Sequence, residues 1–253
     1  MKLGIIGVGH LATALLKGLL NAGFVSAREV TLSPRGHSDE LHRAFGCAVA
    51  KGNAALVDQC DTVLLAVRPQ HAEEAVAGLP WRTDQILMTA CAGVPTSQLA
   101  PLIAGARVVR IMPTIAAEFG ESATLVYPAL PELDPFLGAI GKSFALESED
   151  QFEVGSVSAA VFGWAQALIK SSTDWSAQRG FDEHQARLLL AQTFISAGTT
   201  VAQTDLPVAQ ILDNLATPDG ITEAGLNHLQ NAGAMEAWDA ANSVALNKLE
   251  GRG

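Results

Sequence analysis

Basic residues are scarce in this chain. Lys and Arg number 16 against 26 Asp and Glu, which gives a formal charge of −10 over 253 residues. A chain this acidic has no general attraction for phosphate backbones or anionic lipid, so neither nucleic acid nor membrane is expected as a partner. Cysteine is sparse too. Cys47, Cys60 and Cys91 are odd in number and spaced for neither a metal site nor a disulfide framework, so they read as reduced thiols. His37, His42, His71, His184 and His228 are scattered without metal-ligand spacing, and no metal is expected. Long apolar runs are missing. Leu188 to Val201, the most apolar late stretch, is broken by Gln192, Thr193 and Ser196 and is too short to cross a bilayer. The first residues read as a strand rather than a basic-then-apolar leader, and the expectation is a cytoplasmic protein.

What is present falls into two textures. Up to about Glu147, short apolar runs alternate with helical patterns. Leu3–Ile6, Glu29–Leu32, Val63–Val67, Gln85–Thr89 and Arg107–Ile111 read as strands, with Leu11–Asn21, Ser38–Phe45, Asn53–Gln59 and Gln70–Ala77 as helices. The alternation predicts crossover units, and so an α/β Rossmann domain with a mostly parallel, doubly wound sheet over residues 1–148. Ala123–Tyr127 and Lys142–Leu146 are candidate edge strands. After Glu147 strand signals stop. Helical stretches near 150–172, 182–204, 207–216, 220–230 and 234–249 follow, with faces rich in Ala, Gly, Ser and Leu. Residues 149–253 therefore read as a second, all-helical domain.

The sharpest motif opens the chain. Strand Leu3–Ile6 runs into Gly7-Val8-Gly9-His10-Leu11-Ala12, and a helix follows. The first glycine permits the tight turn, the second lets backbone approach a pyrophosphate, and the small Ala12 allows close helix–strand packing. The free N–H groups and positive dipole end of the helix then face the phosphates. The end of the second strand decides between NAD and NADP. An NAD site places Asp or Glu there for the ribose hydroxyls, whereas this chain has Ser33-Pro34-Arg35, two donors suited to a 2′-phosphate. NADP (as NADPH) is therefore expected rather than NAD. His10 is a further candidate contact for the pyrophosphate. Three later strands end in Val67-Arg68-Pro69-Gln70, Ala90-Cys91-Ala92-Gly93 and Ile111-Met112-Pro113-Thr114, all on the sheet edge where such folds bind ligand.

Together these motifs resemble the pyrroline-5-carboxylate reductase family, whose members reduce a cyclic imine to proline with NAD(P)H. The likeness also takes in Leu190-Ala191-Gln192-Thr193 and Thr217-Pro218-Asp219-Gly220-Ile221-Thr222 of the helical half. The resemblance implies an NADPH-dependent oxidoreductase acting on an imine substrate, with a helical dimerisation domain that makes a homodimer or a higher homo-oligomer. It places the nicotinamide beside Val67, Arg68, Pro69, Ala92 and Gly93. It assigns substrate binding to Thr217, Gly220 and Thr222, on a loop that the partner subunit supplies. Thr222 is its candidate catalytic hydroxyl.

Departures from the family pattern keep other readings open. Thr114 and Ile115 replace the family's Asn-Thr after Met-Pro, Val154-Gly155-Ser156-Val157-Ser158-Ala159 replaces a Ser-Gly-x-Gly-Pro-Ala stretch, and Asp219 replaces a glycine in the substrate loop. Asp219, Thr114 and Ile221 motivate a paralogue that reduces a different imine. A non-catalytic NADP-binding protein is a second alternative. The third is a hydroxyacid dehydrogenase using Lys170, but Asp174 lies one helical turn away and an ordinary ion pair accounts for that spacing.

Overall fold

Residues 1–251 are described in a computed structural model and divide into two compact units. The first contains residues 1–159 and the final helical turn from Leu246, and the second is Ala160–Ala245. In the first unit, β1 (Leu3–Ile6), α1 (His10–Asn21), β2 (Val30–Leu32), α2 (Ser38–Phe45), β3 (Ala48–Val49) and α3 (Asn53–Gln59) come in turn. Next are β4 (Thr62–Leu65), α4 (Ala72–Val76), β5 (Ile86–Thr89), α5 (Thr96–Leu99) and β6 (Arg107–Met112). The series closes with β7 (Ser122–Tyr127), α6 (Asp134–Ile140), β8 (Gly141–Ala145) and α7 (Glu149–Ser156).

The strands form one sheet in the order β3-β2-β1-β4-β5-β6-β7-β8. Neighbours are parallel except β6 and β7, which pair antiparallel through Arg110 with Tyr127 and Met112 with Leu125. The expected mostly parallel sheet is therefore present, and the two candidate edge strands are its last two members. Three elements were not anticipated. β3 is two exposed residues long, while α5 and α6 are short helices behind prolines or acidic turns.

Alternation along the strands explains why both faces are covered. Leu64, Met88, Val109 and Ile111 pack into one core with Leu15, Leu16 and Leu19 of α1 and Phe136 of α6. Their neighbours Val63, Leu65, Leu87 and Val108 join Leu56 and Val57 of α3, Trp81 and Leu99 in a second core. Successive side chains on a strand point to opposite faces, so near-continuous apolar runs such as Thr62–Leu65 are what a doubly covered parallel strand requires.

A third buried feature ties β6 to α7. Arg110 is 1% exposed; its Nη1 donates to Glu149 at 3.0 Å and its Nη2 lies 2.6 Å from Glu153. The guanidinium also stands 4.4 Å over the ring of Phe152. Glu149 in turn accepts from the Thr96 amide and hydroxyl at the start of α5. This ion cluster, with α7 packed on β7, carries the first unit past residue 148.

The helical region starts with α8 (Ser158–Ala177), and continues with α9 (Glu183–Gln203), α10 (Val208–Leu215), α11 (Ile221–Asn231) and α12 (Ala234–Leu249). The long helix expected over 150–172 is two, broken at Val157. The run Glu149–Ala177 has length and apolarity sufficient to cross a membrane, by length and composition only, and 17% of its most apolar window is buried. Within Ala160–Ala245 the buried residues are Thr173, Ala186 and Ile211. Leu168, Leu188, Leu189, Ile195 and Val244 are exposed. A helical unit that buries so little by itself has apolar faces left to cover.

Candidate cofactor and substrate sites

The loop from Gly7 to Ala12 has the geometry a pyrophosphate needs. Gly7 sits at φ +91°, and a Cβ there would stand 2.7 Å from the Ala66 carbonyl and from the Val67 side chain at the exit of β4. Only glycine fits that crossing. At Gly9 a Cβ would meet nothing within 4 Å, so the backbone faces open space. Gly9 caps α1 without a side-chain bond, leaving the amides of His10, Leu11 and Ala12 without helical acceptors. No acidic residue stands in that first turn. The Thr13 hydroxyl beside it is buried and has no partner. Ala12 is buried, in keeping with a packing role, while His10 is exposed and its ring lies 5.0 Å from that of His37.

Ser33 and Arg35 stand at the exit of β2. Ser33 is buried, and its Oγ accepts from the Gly7 amide at 3.1 Å, so the hydroxyl hydrogen is left to donate elsewhere. Beyond it, Gly36 bridges Val8 and the His37 amide donates to the Val8 carbonyl, which fixes the β2 exit to the phosphate loop. The result is a cavity of about 840 Å³ lined by Gly7, Ser33, Arg35, Lys51, Asn53 and Val67, among others. Its walls include the apolar Leu79, Ala75 and Ala54 together with His71 and Glu74. Apolar walls for a base, two hydroxyl or guanidinium donors and an adjoining anion loop fit an adenosine 2′-phosphate. Lys51, Asn53, His71 and Glu74 had no motif to announce them. Lys51 follows the short β3, whose two residues carry no periodic signal.

The other strand-end residues line the same edge of the sheet. Val67 is half-buried, Arg68 and Pro69 are exposed, and Pro69 starts a short 3-10 turn. Ala92 and Gly93 are half-buried in the turn after β5, with Gly93 at φ +68° against the carbonyl of Leu249. Between these loops, Cys91 is buried, and its thiol contacts the Val67 carbonyl at 3.4 Å. Burial pushes that thiol above its ordinary value, which makes it a packing group and not a nucleophile. Thr114 donates its amide to Ser122, while its own hydroxyl is buried without a partner.

In the helical unit, Lys170 meets Asp174 at 2.5 Å in the spacing of one turn. Its hydrogen bond to Asp174 raises its pKa, and it is 75% exposed. Both observations describe a charged surface residue, the ion pair expected from the sequence. The segment Thr217–Thr222 forms a tight turn into α11. Thr217, Asp219 and Thr222 are exposed and Gly220 is half-buried. The Gly220 amide donates to the Thr217 carbonyl, and Asp219 holds a left-handed backbone at φ +61°. Asp219 donates its amide to the Glu223 carboxylate at 2.9 Å. Glu223 was not singled out, since its reach back to the turn depends on the backbone of Asp219.

Residues 150–251 match the family described as pyrroline-5-carboxylate reductase dimerisation, and residues 2–93 match one described as NADP oxidoreductase, coenzyme F420-dependent. The pyrroline-5-carboxylate reductase of Methanosarcina acetivorans is 29% identical over 250 residues, covering 94% of this chain and 92% of its own length. The chain is similar to pyrroline-5-carboxylate reductases along nearly its whole length. Pyrroline-5-carboxylate reductase 1 of Bacillus subtilis is 27% identical, with 95% and 85% coverage. Among solved structures, the Plasmodium falciparum pyrroline carboxylate reductase with NADP bound superposes with a TM-score of 0.88 at 21% identity, over 100% of this chain and 98% of that one. A reductive aminase of Aspergillus terreus in complex with NADPH is more distant, with a TM-score of 0.63 at 18% identity over 99% and 91%. At those identities the structural likenesses speak for the shared fold.

Proposed function

We propose that the protein is an NADPH-dependent imine reductase that converts a cyclic imino acid, pyrroline-5-carboxylate, to proline. The observation that carries this reading is the conjunction of whole-length pyrroline-5-carboxylate reductase relatives with a fitting dinucleotide site. That site joins an uncapped α1 N-terminus to a cavity bearing Ser33 and Arg35 where an NAD enzyme has a carboxylate. In this reading residues 1–148 hold the cofactor and 149–253 form the dimerisation and substrate domain.

When bound, reduced nicotinamide supplies a hydride for the imine carbon. The chain contributes position and exclusion of water. The amides of His10, Leu11 and Ala12, with Gly7 and Gly9, hold the pyrophosphate, while Ser33 and Arg35 take the 2′-phosphate. Val67, Arg68, Pro69, Ala92 and Gly93 form the nicotinamide end of the sheet edge. Thr217 and Gly220 hold the substrate carboxylate, and the Thr222 hydroxyl orients or protonates the imine nitrogen. A cyclic imine is basic and arrives readily as an iminium, so no stronger acid is required. The exposed apolar faces of the helical unit support a soluble homodimer or larger homo-oligomer, in which the substrate loop serves a neighbouring subunit. We place it in the cytoplasm.

The test is NADPH oxidation with five- and six-membered cyclic imines, with and without a carboxylate. Turnover selective for pyrroline-5-carboxylate, lowered in kcat by Thr222→Ala, is the expected result. Tight NADPH binding without hydride transfer to any imine would leave a non-catalytic NADP-binding protein. One observation favours the paralogue reading: the Asp219 amide, available to a carboxylate where the family has glycine, is committed to Glu223. If that commitment excludes imino acids, imines without a carboxylate should be preferred, and Glu223→Ala, which frees the Asp219 amide, should raise kcat/KM for pyrroline-5-carboxylate.

A further inference from the structure

The cavity beside the phosphate loop contains one cation that neither the motifs nor the family resemblance points to. Lys51 lines it together with Arg35, Ser33 and Asn53. The sheet order explains the meeting. β3 pairs with β2 and β2 with β1, so the ends of three adjacent strands deliver Lys51, Ser33 with Arg35, and Gly7 to one edge. The Ala50 amide donates to the Leu32 carbonyl at 2.9 Å and holds the β3 exit in register with the β2 exit. Asn53 donates to the Ala75 carbonyl, tying the wall behind Lys51 to α4.

Charge pairing sharpens the point. Acidic residues outnumber basic ones by 26 to 16, and Lys17, Arg82, Arg107, Arg110 and Lys170 all have carboxylate partners. Arg35 and Lys51 are among the several basic side chains of the described residues that form no ion pair, and they are the Arg and the Lys that line this cavity, beside Glu74. Two like charges held around one concavity repel each other unless an anion joins them, and a 2′-phosphate with two negative charges is matched by two cations.

We propose that Lys51 is a second cationic contact for the 2′-phosphate, acting with Arg35, and that the pair sets the preference for NADP over NAD. This inference rests on reading the cavity as the adenosine 2′-phosphate site. Arg35 supplies a planar fork and Lys51 a compact charge from the neighbouring strand end. Loss of either leaves the other, so single variants keep part of the discrimination.

Calorimetric titration of the full-length protein with 2′,5′-ADP and with 5′-AMP tests this without turnover. The two ligands differ only by the 2′-phosphate. Lys51→Met is expected to weaken 2′,5′-ADP about tenfold and to leave 5′-AMP within about twofold, the scale of one charge-assisted contact. Lys51→Arg is expected to keep most of the affinity, and Lys51→Met combined with Arg35→Ala to abolish the difference between the ligands. If Lys51→Met binds 2′,5′-ADP like the wild type while Arg35→Ala does not, Lys51 is excluded and the cavity reading stands. If both ligands weaken equally, Lys51 shapes the cavity and has no phosphate role. If the wild type binds 2′,5′-ADP no better than 5′-AMP, the cavity reading itself fails.

Discussion

Arg110 offers the most direct measurement of what holds the first unit together. Replacing it with Met keeps much of the side-chain volume and removes the charge, leaving Glu149 and Glu153 facing each other without a cation. Arg110 is buried, and its two carboxylate partners are only 26% and 20% exposed. Breaking a fully buried pair costs about 3–5 kcal/mol. The partial access of the two carboxylates to water lowers this to about 2–3 kcal/mol, to which the lost cation–π contact with Phe152 adds about 0.5–1 kcal/mol. Against a total stability of about 5–15 kcal/mol the loss is large, about 6–12 °C in melting temperature for a chain of this size. Urea unfolding at fixed protein concentration, followed by far-UV circular dichroism, reads it directly.

The control separates charge from shape. Arg110→Met combined with Glu149→Gln and Glu153→Gln removes all three charges and should recover more than half of the loss, because a neutral cluster has no uncompensated carboxylate. A loss under about 0.5 kcal/mol in the single variant would refute the reasoning, since it would mean that water already neutralises the cluster. Equal losses in the single and triple variants would show that Arg110 works through packing on Phe152 and not through its charge.

Packing, burial and exposed surface elsewhere in the chain have measurable consequences too. A Cβ at Gly18 would overlap the Ala117 carbonyl; Gly18→Ala should therefore destabilise by about 1–3 kcal/mol despite the better helix former, and a gain in urea stability would show that this contact is loose. Burial raises the pKa of Cys47, Cys60 and Cys91, so a thiol reagent should label the native protein far more slowly than the unfolded one. Because the folded pKa lies above the unfolded one, that stability is complete below about pH 8.5. It is lost as pH rises through the raised values, by at most about 1.4 kcal/mol per pH unit per thiol, so flat stability up to about pH 10 would contradict it. The exposed apolar faces of Ala160–Ala245 predict a dimer or larger assembly by light scattering, and a monomeric mass at micromolar concentration would overturn it.

Legibility in the sequence followed the strength of the periodic signal. Strand β1 and helices α2 and α3 lie at their expected bounds because apolar runs and flanking Gly, Ser or Asn punctuate them clearly. The phosphate loop was readable since strand, glycines and helix fall in one continuous stretch. The cavity beside it was only half readable. Ser33 and Arg35 follow a strong strand, but Lys51 follows two exposed residues, Ala48 and Val49, that become a strand only by pairing with Thr31 and Leu32. Arg110 falls within the expected strand Arg107–Ile111, yet its partners lie 39 and 43 residues on, beyond the reach of any local pattern. The link between Asp219 and Glu223 needed the left-handed backbone of Asp219 to be known first.

A neutral buried hydroxyl without a partner, next to a ligand-sized opening, points to a place the fold keeps for something else. Gln85 shows a satisfied case, donating to the carbonyls of Val57 and Cys60 and accepting from the Arg82 amide, whereas the Arg110–Glu153 ion pair leaves Arg110 Nε and one Glu153 oxygen without a hydrogen bond. Beside the phosphate loop the pattern changes, and the Thr13 hydroxyl is buried with no partner in the first turn of α1. An unsatisfied buried hydroxyl costs about 1–3 kcal/mol, which is tolerable where a ligand oxygen restores the bond. Thr13→Val removes the hydroxyl at nearly constant shape. The apo protein should then unfold at equal or higher urea, with a gain of up to about 1 kcal/mol, while NADPH binds several-fold more weakly. Opposite signs for apo stability and cofactor affinity are the signature of a group held in reserve for the ligand. Lower stability in both states would mean that water satisfies Thr13 in solution, and unchanged NADPH affinity would remove its hydroxyl from the cofactor site.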